Sequence, residues 1–185
     1  MKSKIERKPR RPVYPTPASL VVSVDAKGKP NIITLGEIFN LSIWNPVWVG
    51  IAINKARYSY GLIKKQGEFT VNLPTATMVD KVRGCGSCSG RDGIDKFARF
   101  NLTPLPSKYV KPPIIAECTV NLECRVVGFH HVGDHDLFIG EVLSEHVDED
   151  AVNPEGERDE NKLDPLIWLG VGFYRLGEKI GEYRW

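Results

Sequence analysis

Short segments with strand-like patterning recur along the whole chain, and they constrain its fold more than any other feature. The clearest covers residues 117–127, where apolar and polar side chains alternate as in a strand with one face on a core. The helical segments are brief and do not alternate regularly with the strands, so a doubly wound parallel sheet is disfavoured. The pattern predicts a mainly β protein, an antiparallel barrel or sandwich with a few short helices. The other predicted strands cover residues 18–24, 31–35, 47–54, 68–73, 137–143 and 166–174.

Glycine and proline divide the chain between these strands. We predict a loop over residues 36–46, because Gly36 interrupts the preceding strand pattern, and another over residues 84–90, which are rich in glycine and serine. Gly67 is placed to end the first of the helices, which are predicted over residues 58–66, 75–82 and 94–100.

The composition is that of a globular protein, with 42% hydrophobic and 26% charged residues. A length of 185 residues is most simply one domain with a full core, which we expect to cover residues 14–185. Residues 1–13 are basic and are expected to form a flexible tail.

The net charge of +2 is too small to indicate a nucleic-acid partner. No apolar run is long enough to span a bilayer, so we expect a cytoplasmic protein without a membrane partner and with mostly reduced cysteines.

The junction between the strand 47–54 and the helix 58–66 could bind an anion. Exposed N–H groups and the helix dipole favour a phosphate at a helix N-terminus, and Arg57 and Ser59 add a positive charge and a hydroxyl. Lys96 could contribute a second positive charge. An ordinary solvated helix start would contain the same residues, so the spacing alone does not name a ligand.

The strand 47–54 has two different faces. One is nearly flat at Gly50 and Ala52, which lets another group approach the backbone closely. A ligand ring, a second subunit or tight packing within the domain would each use this face. The opposite face suits a core and consists of Val47, Val49, Ile51 and Ile53.

Four cysteines raise the question of a zinc site. Cys118 and Cys124 lie in one predicted strand, and at about 3.3 Å per residue their Cα atoms are about 20 Å apart. Ligands of one zinc ion cannot be spread that far, so we predict no metal site and interpret both as core residues. Cys85 and Cys88 either form a redox pair or lie in a reduced loop without a role.

His135 differs from the other histidines because it lies in a Gly-Asp-His-Asp turn just before a predicted strand. A side chain in such a turn can be aimed into a cleft, where it would donate a proton or hydrogen-bond a cofactor. The other histidines are interpreted as exposed or satisfied. No Ser-His-Asp or paired-carboxylate arrangement indicates a hydrolase.

Motifs in a fixed order extend from about residue 14 to the C-terminus. Taken together, they resemble the flavin reductase-like family, which includes the flavoredoxins and the FMN-binding ferric reductases. The resemblance implies an FMN-binding split β-barrel that works as a homodimer, with FMN near the subunit interface. The motifs are Asn31-x-x-Thr34-x-Gly36, Asn45-Pro46, Asn54-x-x-Arg57-x-Ser59, and residues 69–74, 89–97, 133–142 and 174–183.

The resemblance also implies roles for individual residues. Arg57 and Ser59, helped by Lys96, would hold the FMN phosphate. His135 would lie near the flavin ring or the nicotinamide and is the catalytic candidate. The implied cofactor-binding residues are Asn31, Thr34, Gly36, Glu37, Ile38, Ser42, Ala52, Ile53, Asn54, Lys55, Arg57, Tyr58, Ser59 and Lys96.

Within this set, Asn54 and its neighbours would meet the ribityl chain, and Thr34 with the backbone of residues 36–38 would edge the isoalloxazine ring. The implied function is an oxidoreductase that passes electrons from NAD(P)H through bound FMN to free flavin, a ferric chelate or an electron-acceptor protein. The alternative is a non-catalytic electron carrier of flavoredoxin type. A binding module that has lost the cofactor is disfavoured, because the implied phosphate-binding residues are present.

Overall fold

A computed structural model describes residues 2–11 and 13–182 of the chain. Residues 1 and 12 of the predicted tail and residues 183–185 of the predicted domain lie outside the described part. The strands are β1 (Thr16–Pro17), β2 (Ser19–Val24), β3 (Pro30–Leu35), β4 (Ile38–Ser42), β5 (Trp48–Asn54), β6 (Glu68–Leu73), β7 (Pro104–Leu105), β8 (Ile114–Ile115), β9 (Val120–His130), β10 (His135–Val147), β11 (Leu166–Leu169) and β12 (Gly172–Arg175). The α-helices are α1 (Tyr58–Gln66), α2 (Val79–Ser87) and α3 (Lys96–Arg99).

Seven strands form one curled antiparallel sheet in the order β3-β2-β6-β9-β10-β5-β4. The sheet is a half-barrel, which confirms the prediction of a mainly β, antiparallel split barrel with a few short helices. β1, β11 and β12 form a separate three-stranded sheet, and β7 pairs with β8. Within the described residues no helix is both long and apolar enough to cross a membrane.

Apolar side chains from the sheet form two buried clusters. Val49, Ile51 and Ile53 of β5 belong to one of them, as the alternation predicted, whereas Val47 precedes β5 and is 42% exposed. The second cluster joins β2 and β3 to α2 and α3. Each large apolar side chain that is fully buried contributes about 1.5–3 kcal/mol relative to an exposed one, so these clusters hold the helices against the sheet.

Helix α1 agrees with its prediction at both ends. It follows β5 directly, and Gly67 ends it in the left-handed conformation, with φ of 71° and its N–H donated to the carbonyl of Ile63. Glycine adopts this conformation without a steric penalty. Because a short turn joins β5 to α1, the helix starts close to the end of β5, which lies between β10 and β4 in the sheet.

Helix α2 differs from its prediction because it continues through most of the predicted loop over residues 84–90. Gly84 and Gly86 favoured a loop, but both lie in helical backbone. A Cβ atom on Gly84 would come closer than 3.0 Å to the ring of Phe100. Glycine is therefore required here for close packing against an aromatic ring, which a single-sequence pattern does not distinguish from a turn.

Two other predicted segments also differ in the structure. The predicted loop over residues 36–46 contains β4, which pairs with β5, and the predicted strand over residues 166–174 is a hairpin of β11 and β12. Gly170, with φ of 64°, makes the turn of this hairpin. An apolar run does not show which strand will pair with it, so the sequence pattern predicted neither of these pairings.

Strand β9 begins later than predicted, and its polar face is covered at Asn121 and Glu123. Asn121 is 5% exposed and Glu123 is 0% exposed. The segment between β7 and β8 lies over them: Lys108 and Tyr109 donate their main-chain N–H groups to Glu123 at 2.9 and 2.6 Å. These hydrogen bonds satisfy the buried carboxylate of Glu123. The alternating pattern predicted one buried face and did not reveal that another chain segment covers Asn121 and Glu123 on the opposite face.

Candidate functional site

A cleft of about 1200 Å³ opens beside the N-terminus of α1. Its walls come from β3, the first turn of α1, the second half of α2 with the loop that follows, the start of β10, and the β11–β12 hairpin. The fold thereby joins segments from both halves of the chain. The predicted site residues that line the cleft are Asn31, Thr34, Glu37, Asn54, Arg57, Tyr58, Ser59, Lys96 and His135.

The turn from β5 into α1 presents the helix N-terminus to this cleft. The Asn54 side chain accepts the N–H of Ala56 at 3.0 Å, and the Asn54 carbonyl accepts the N–H of Arg57 at 3.0 Å. The first turn of α1 has no acidic residue, and no described carboxylate pairs with Arg57. The positive end of the helix is therefore not neutralised by the described part of the chain, and it favours an anion.

Ser59 and Asn31 form a buried polar pair in the cleft. Ser59 is 1% exposed and Asn31 is 5% exposed, and the Asn31 Nδ2 donates to Ser59 Oγ at 2.7 Å. The Asn31 Oδ1 is buried and has no partner among the described residues. Buried acceptors are nearly always satisfied in native proteins, because an unsatisfied one costs free energy. A ligand that donated a hydrogen bond to Asn31 Oδ1 would remove this cost.

Lys96 lines the cleft but is 4% exposed. Its ammonium donates to the carbonyl of Ile32 at 2.7 Å and to that of Cys85 at 2.6 Å. Burial lowers the pKa of Lys96. Two of its three protons are thus committed to joining β3 to α2, and its positive charge lies within the cleft wall rather than on the cleft surface.

His135 begins β10 directly opposite Asn54 of β5. Its side chain is 37% exposed, and Nδ1 lies 3.1 Å from Asp134 Oδ2. The hydrogen bond with His135 lowers the pKa of Asp134. Pairing of the two strands therefore brings the predicted proton donor to the same cleft as the predicted phosphate site.

Six predicted contacts are not on the surface of the cleft. Ile53 has a fully buried side chain in the core, and Lys55 pairs with Asp136 at 3.3 Å. The Ser42 hydroxyl donates to the carbonyl of Pro46 at 2.6 Å, so it is used within the turn that follows β4. The predicted residues outside the cleft lining are Gly36, Ile38, Ser42, Ala52, Ile53 and Lys55.

The flat face of β5 is occupied at one of its two positions. A Cβ on Gly50 would collide with the ring of Phe39 from β4 and approach Leu137 from β10. Tight packing within the domain, one of the three uses left open by the sequence, therefore accounts for Gly50.

Several cleft residues were not identified as site residues from the sequence. Arg91 donates to the carbonyl of Ala56 at 3.4 Å, which brings a second guanidinium next to the turn that holds Arg57. Ser89 and Arg91 lie in the quoted motif of residues 89–97, and that motif was the available signal.

Trp168 and Phe173 also line the cleft and form an aromatic wall, with ring centroids 5.3 Å apart. The Arg11 guanidinium lies 4.8 Å from the Trp168 ring and pairs with Glu37. No local signal marks Trp168, because it reaches the cleft only through the pairing of β11 with β1. The predicted tail thus contacts the cleft at Arg11.

Three of the four cysteines give no support to thiol chemistry at this site, whereas Cys88 is half-buried and lines the cleft. All four are free, and Cys118 and Cys124 lie in different core clusters. Cys85 has no exposed surface, and burial raises the pKa of its thiol to about 12. Such a thiol is a poor nucleophile. Within the described residues no group of three or more His, Cys, Asp or Glu side chains could hold a metal ion.

Asp136 was also not identified from the sequence. It is 0% exposed and accepts hydrogen bonds from the Tyr60 hydroxyl at 2.8 Å and from the Val132 N–H at 3.3 Å. His131 Nδ1 lies 2.9 Å away, and Lys55 completes the group. Burial by itself raises the pKa of Asp136, but these hydrogen bonds outweigh burial and lower the pKa to about 2.

Solved structures with the same fold include flavoredoxins. The structure of flavoredoxin of Desulfovibrio vulgaris (Miyazaki F) matches with a TM-score of 0.87 and 31% identity over 97% of each chain. Flavoredoxin from Methanosarcina acetivorans matches with a TM-score of 0.84 and 32% identity over 97% of this chain and 95% of its own. The fold is therefore that of the split-barrel flavin reductases and flavoredoxins.

Residues 10–177 match the family described as the flavin reductase like domain. The chain therefore belongs to the flavin reductase-like family. Among its relatives, an uncharacterized protein of Archaeoglobus fulgidus is 41% identical over 149 residues, which cover 80% of this chain and 81% of that protein.

Proposed function

We propose that the chain is an FMN-binding oxidoreductase that passes electrons from NAD(P)H through bound FMN to free flavin, a ferric chelate or an electron-acceptor protein. The observation that carries this proposal is the start of α1, where the helix N-terminus and Arg57 face the cleft without a described acidic partner. Such a site suits a phosphate monoester. Membership of the flavin reductase-like family supports flavin as the remainder of the ligand.

The residues present also fit the rest of FMN. The Asn31 Oδ1, buried without a described partner, would accept a hydrogen bond from a ribityl hydroxyl. The aromatic wall at Trp168 and Phe173 offers flat apolar surface to a ring system. FMN, when bound, would supply the redox chemistry by accepting a hydride and releasing electrons.

The chain itself would bind, orient and shield the reactants. Arg57 and Ser59 would hold the phosphate, and Arg91 is a further candidate because it contacts Ala56 beside them. His135, across the strand pair from Asn54, would hold or donate a proton near the reacting groups. We further propose a cytoplasmic homodimer in which FMN lies near the subunit interface.

Calorimetric titration with FMN and riboflavin tests the proposal. We expect FMN to bind more tightly than riboflavin, because riboflavin lacks the phosphate. Arg57→Ala should weaken FMN binding by about 1.5–3 kcal/mol, the size of a hydrogen bond to a charged group, and should change riboflavin binding much less. Arg125→Ala is the matched control, because Arg125 is exposed on β9 and does not line the cleft. A protein that binds neither flavin would contradict the proposal.

The second candidate is a non-catalytic electron carrier, which the flavoredoxin match at 31% identity favours. Both candidates bind FMN, so the rate of reduction separates them. The FMN-loaded protein is mixed anaerobically with NADH or NADPH, and the flavin absorbance is followed. Rapid bleaching supports the oxidoreductase, whereas reduction that is slow with both nucleotides supports the carrier.

A further inference from the structure

The buried carboxylate of Asp136 contacts both ends of the turn that faces the cleft. Lys55 lies just before this turn and places Nζ 3.3 Å from Asp136 Oδ1. Tyr60 lies just after it and donates its hydroxyl to Asp136 Oδ2 at 2.8 Å. The four residues between them all line the cleft: Ala56, Arg57, Tyr58 and Ser59.

Asp136 is itself held rigidly. It pairs with Ile53 in the register of β10 and β5 and has no exposed surface. Two further donors reach it from the turn before β10, the Val132 N–H and His131. A buried carboxylate with this many hydrogen-bond donors has little freedom to move. Its partners Lys55 and Tyr60 therefore lose conformational freedom as well.

We propose that Asp136 is a positioning residue that clamps residues 56–59 in the conformation that binds the ligand phosphate. The proposal rests on the proposed FMN function. A preorganised turn binds an anion more tightly than a mobile one, because less conformational entropy is lost on binding. Without the carboxylate, Lys55 and Tyr60 would lose their common partner, and the N–H groups and Arg57 between them would no longer be held in place.

Glu123 provides a matched control. It is equally buried and bonds to two main-chain N–H groups and to His146, but neither it nor its partners line the cleft. Glu123→Gln therefore removes a comparable buried carboxylate network at a site away from the cleft. Loss of stability is expected from both variants and does not by itself support the clamp.

The test compares FMN and riboflavin binding by calorimetry in the full chain. Asp136→Asn should weaken FMN binding by about tenfold or more and change riboflavin binding by less than about twofold, since riboflavin has no phosphate. Glu123→Gln should leave both affinities unchanged. Equal losses for the two flavins in Asp136→Asn, or an unchanged FMN affinity, would overturn the proposal.

If Asp136→Asn does not fold, the variant Tyr60→Phe, which keeps the Asp136 carboxylate, tests the clamp instead. Tyr60→Phe removes one of the two bonds across the turn while its ring keeps its edge contacts with Phe129 and Phe138. It should show the same selective loss for FMN, to a smaller extent. No difference from the wild type would then reject the clamp.

Hydrogen exchange separates this proposal from the proposed function. If the wild-type protein bound neither flavin, the proposed function would fail, but the clamp would still predict faster exchange at the amides of Ala56 and Arg57, which donate to Asn54, in Asp136→Asn than in Glu123→Gln. Equal exchange in the two variants would overturn the clamp whether or not flavin binds.

Discussion

Asp136 and Glu123 are the carboxylates among the described residues that have no exposed surface. Burial alone raises the pKa of each, but hydrogen bonds to the ionised form outweigh burial, and the pKa of both is lowered. For Asp136 the donors are Tyr60, His131, Lys55 and the Val132 N–H. Such groups stabilise the fold only while they are charged.

The sign of the pH dependence follows from the pKa of Asp136, which falls from 3.8 to about 2 on folding. A group with a depressed folded pKa stabilises the protein above its unfolded pKa, and this stability is lost as the pH falls through the folded value. We therefore expect the free energy of unfolding to fall between about pH 4 and pH 2, and to fall less steeply in Asp136→Asn. Urea unfolding at a series of pH values measures how steeply the free energy of unfolding changes with pH in the wild type and in Asp136→Asn. Parallel slopes would show that Asp136 is not linked to folding in this way.

At the scale of the element, α2 shows that a glycine can mark packing rather than a turn. Gly84 lies inside this helix, and the ring of Phe100 occupies the space that a side chain would need. Phe100 packs against the core cluster that includes Val82 and Cys85. The contact holds α2 against the chain segment that follows α3, and so it helps to fix the cleft wall.

Two glycine substitutions test this interpretation. Gly84→Ala gains about 1 kcal/mol of helix propensity, but it must displace the Phe100 ring, and overpacking of this kind costs about 1–3 kcal/mol. We expect net destabilisation. Gly61→Ala in α1 meets nothing within 4 Å and should stabilise the protein by about 0.5–1 kcal/mol. Denaturant unfolding gives both values, and stabilisation of both variants would contradict the packing argument.

At the scale of the whole molecule, the curled sheet ends at β4, and apolar side chains are exposed along this edge. An apolar edge strand offers unpaired backbone groups and apolar surface to another chain. The notable side chains, with their exposed fractions, are Phe39 at 44%, Leu41 at 43%, Ile43 at 59%, Trp44 at 80% and Val47 at 42%. This edge is the surface that we propose for the homodimer.

Light scattering after size exclusion tests this interface. We expect the wild-type protein to have twice the chain mass of 20.7 kDa. The double variant Ile43→Glu and Trp44→Glu should shift it to the monomer mass, because a contact between copies would bury the charges. Val171→Glu is the control, since Val171 is fully exposed at the tip of the β11–β12 hairpin. A wild-type monomer, or an unchanged dimer in the double variant, would reject the interface.

Local patterns were sufficient for much of the fold. Short β-branched or alternating runs predicted β2, β3, β5 and β6 to within about one residue, and the end of α1 at Gly67 followed from glycine's freedom at positive φ. Motif order then indicated the flavin reductase-like family, which residues 10–177 match. These features depend on residues close in sequence, or on an ordered set of motifs, and so they can be read without coordinates.

The sequence by itself determined the strand-rich, antiparallel fold class and placed Arg57, Ser59 and Asn54 near one helix start. Only the tertiary structure decided that Lys96 would be buried against two carbonyls, that Phe39 would cover Gly50, and that Trp168 and Asp136 would border or support the cleft. These contacts join residues that are distant along the chain. They depend on strand register and on which buried polar groups find partners, and a local pattern contains neither.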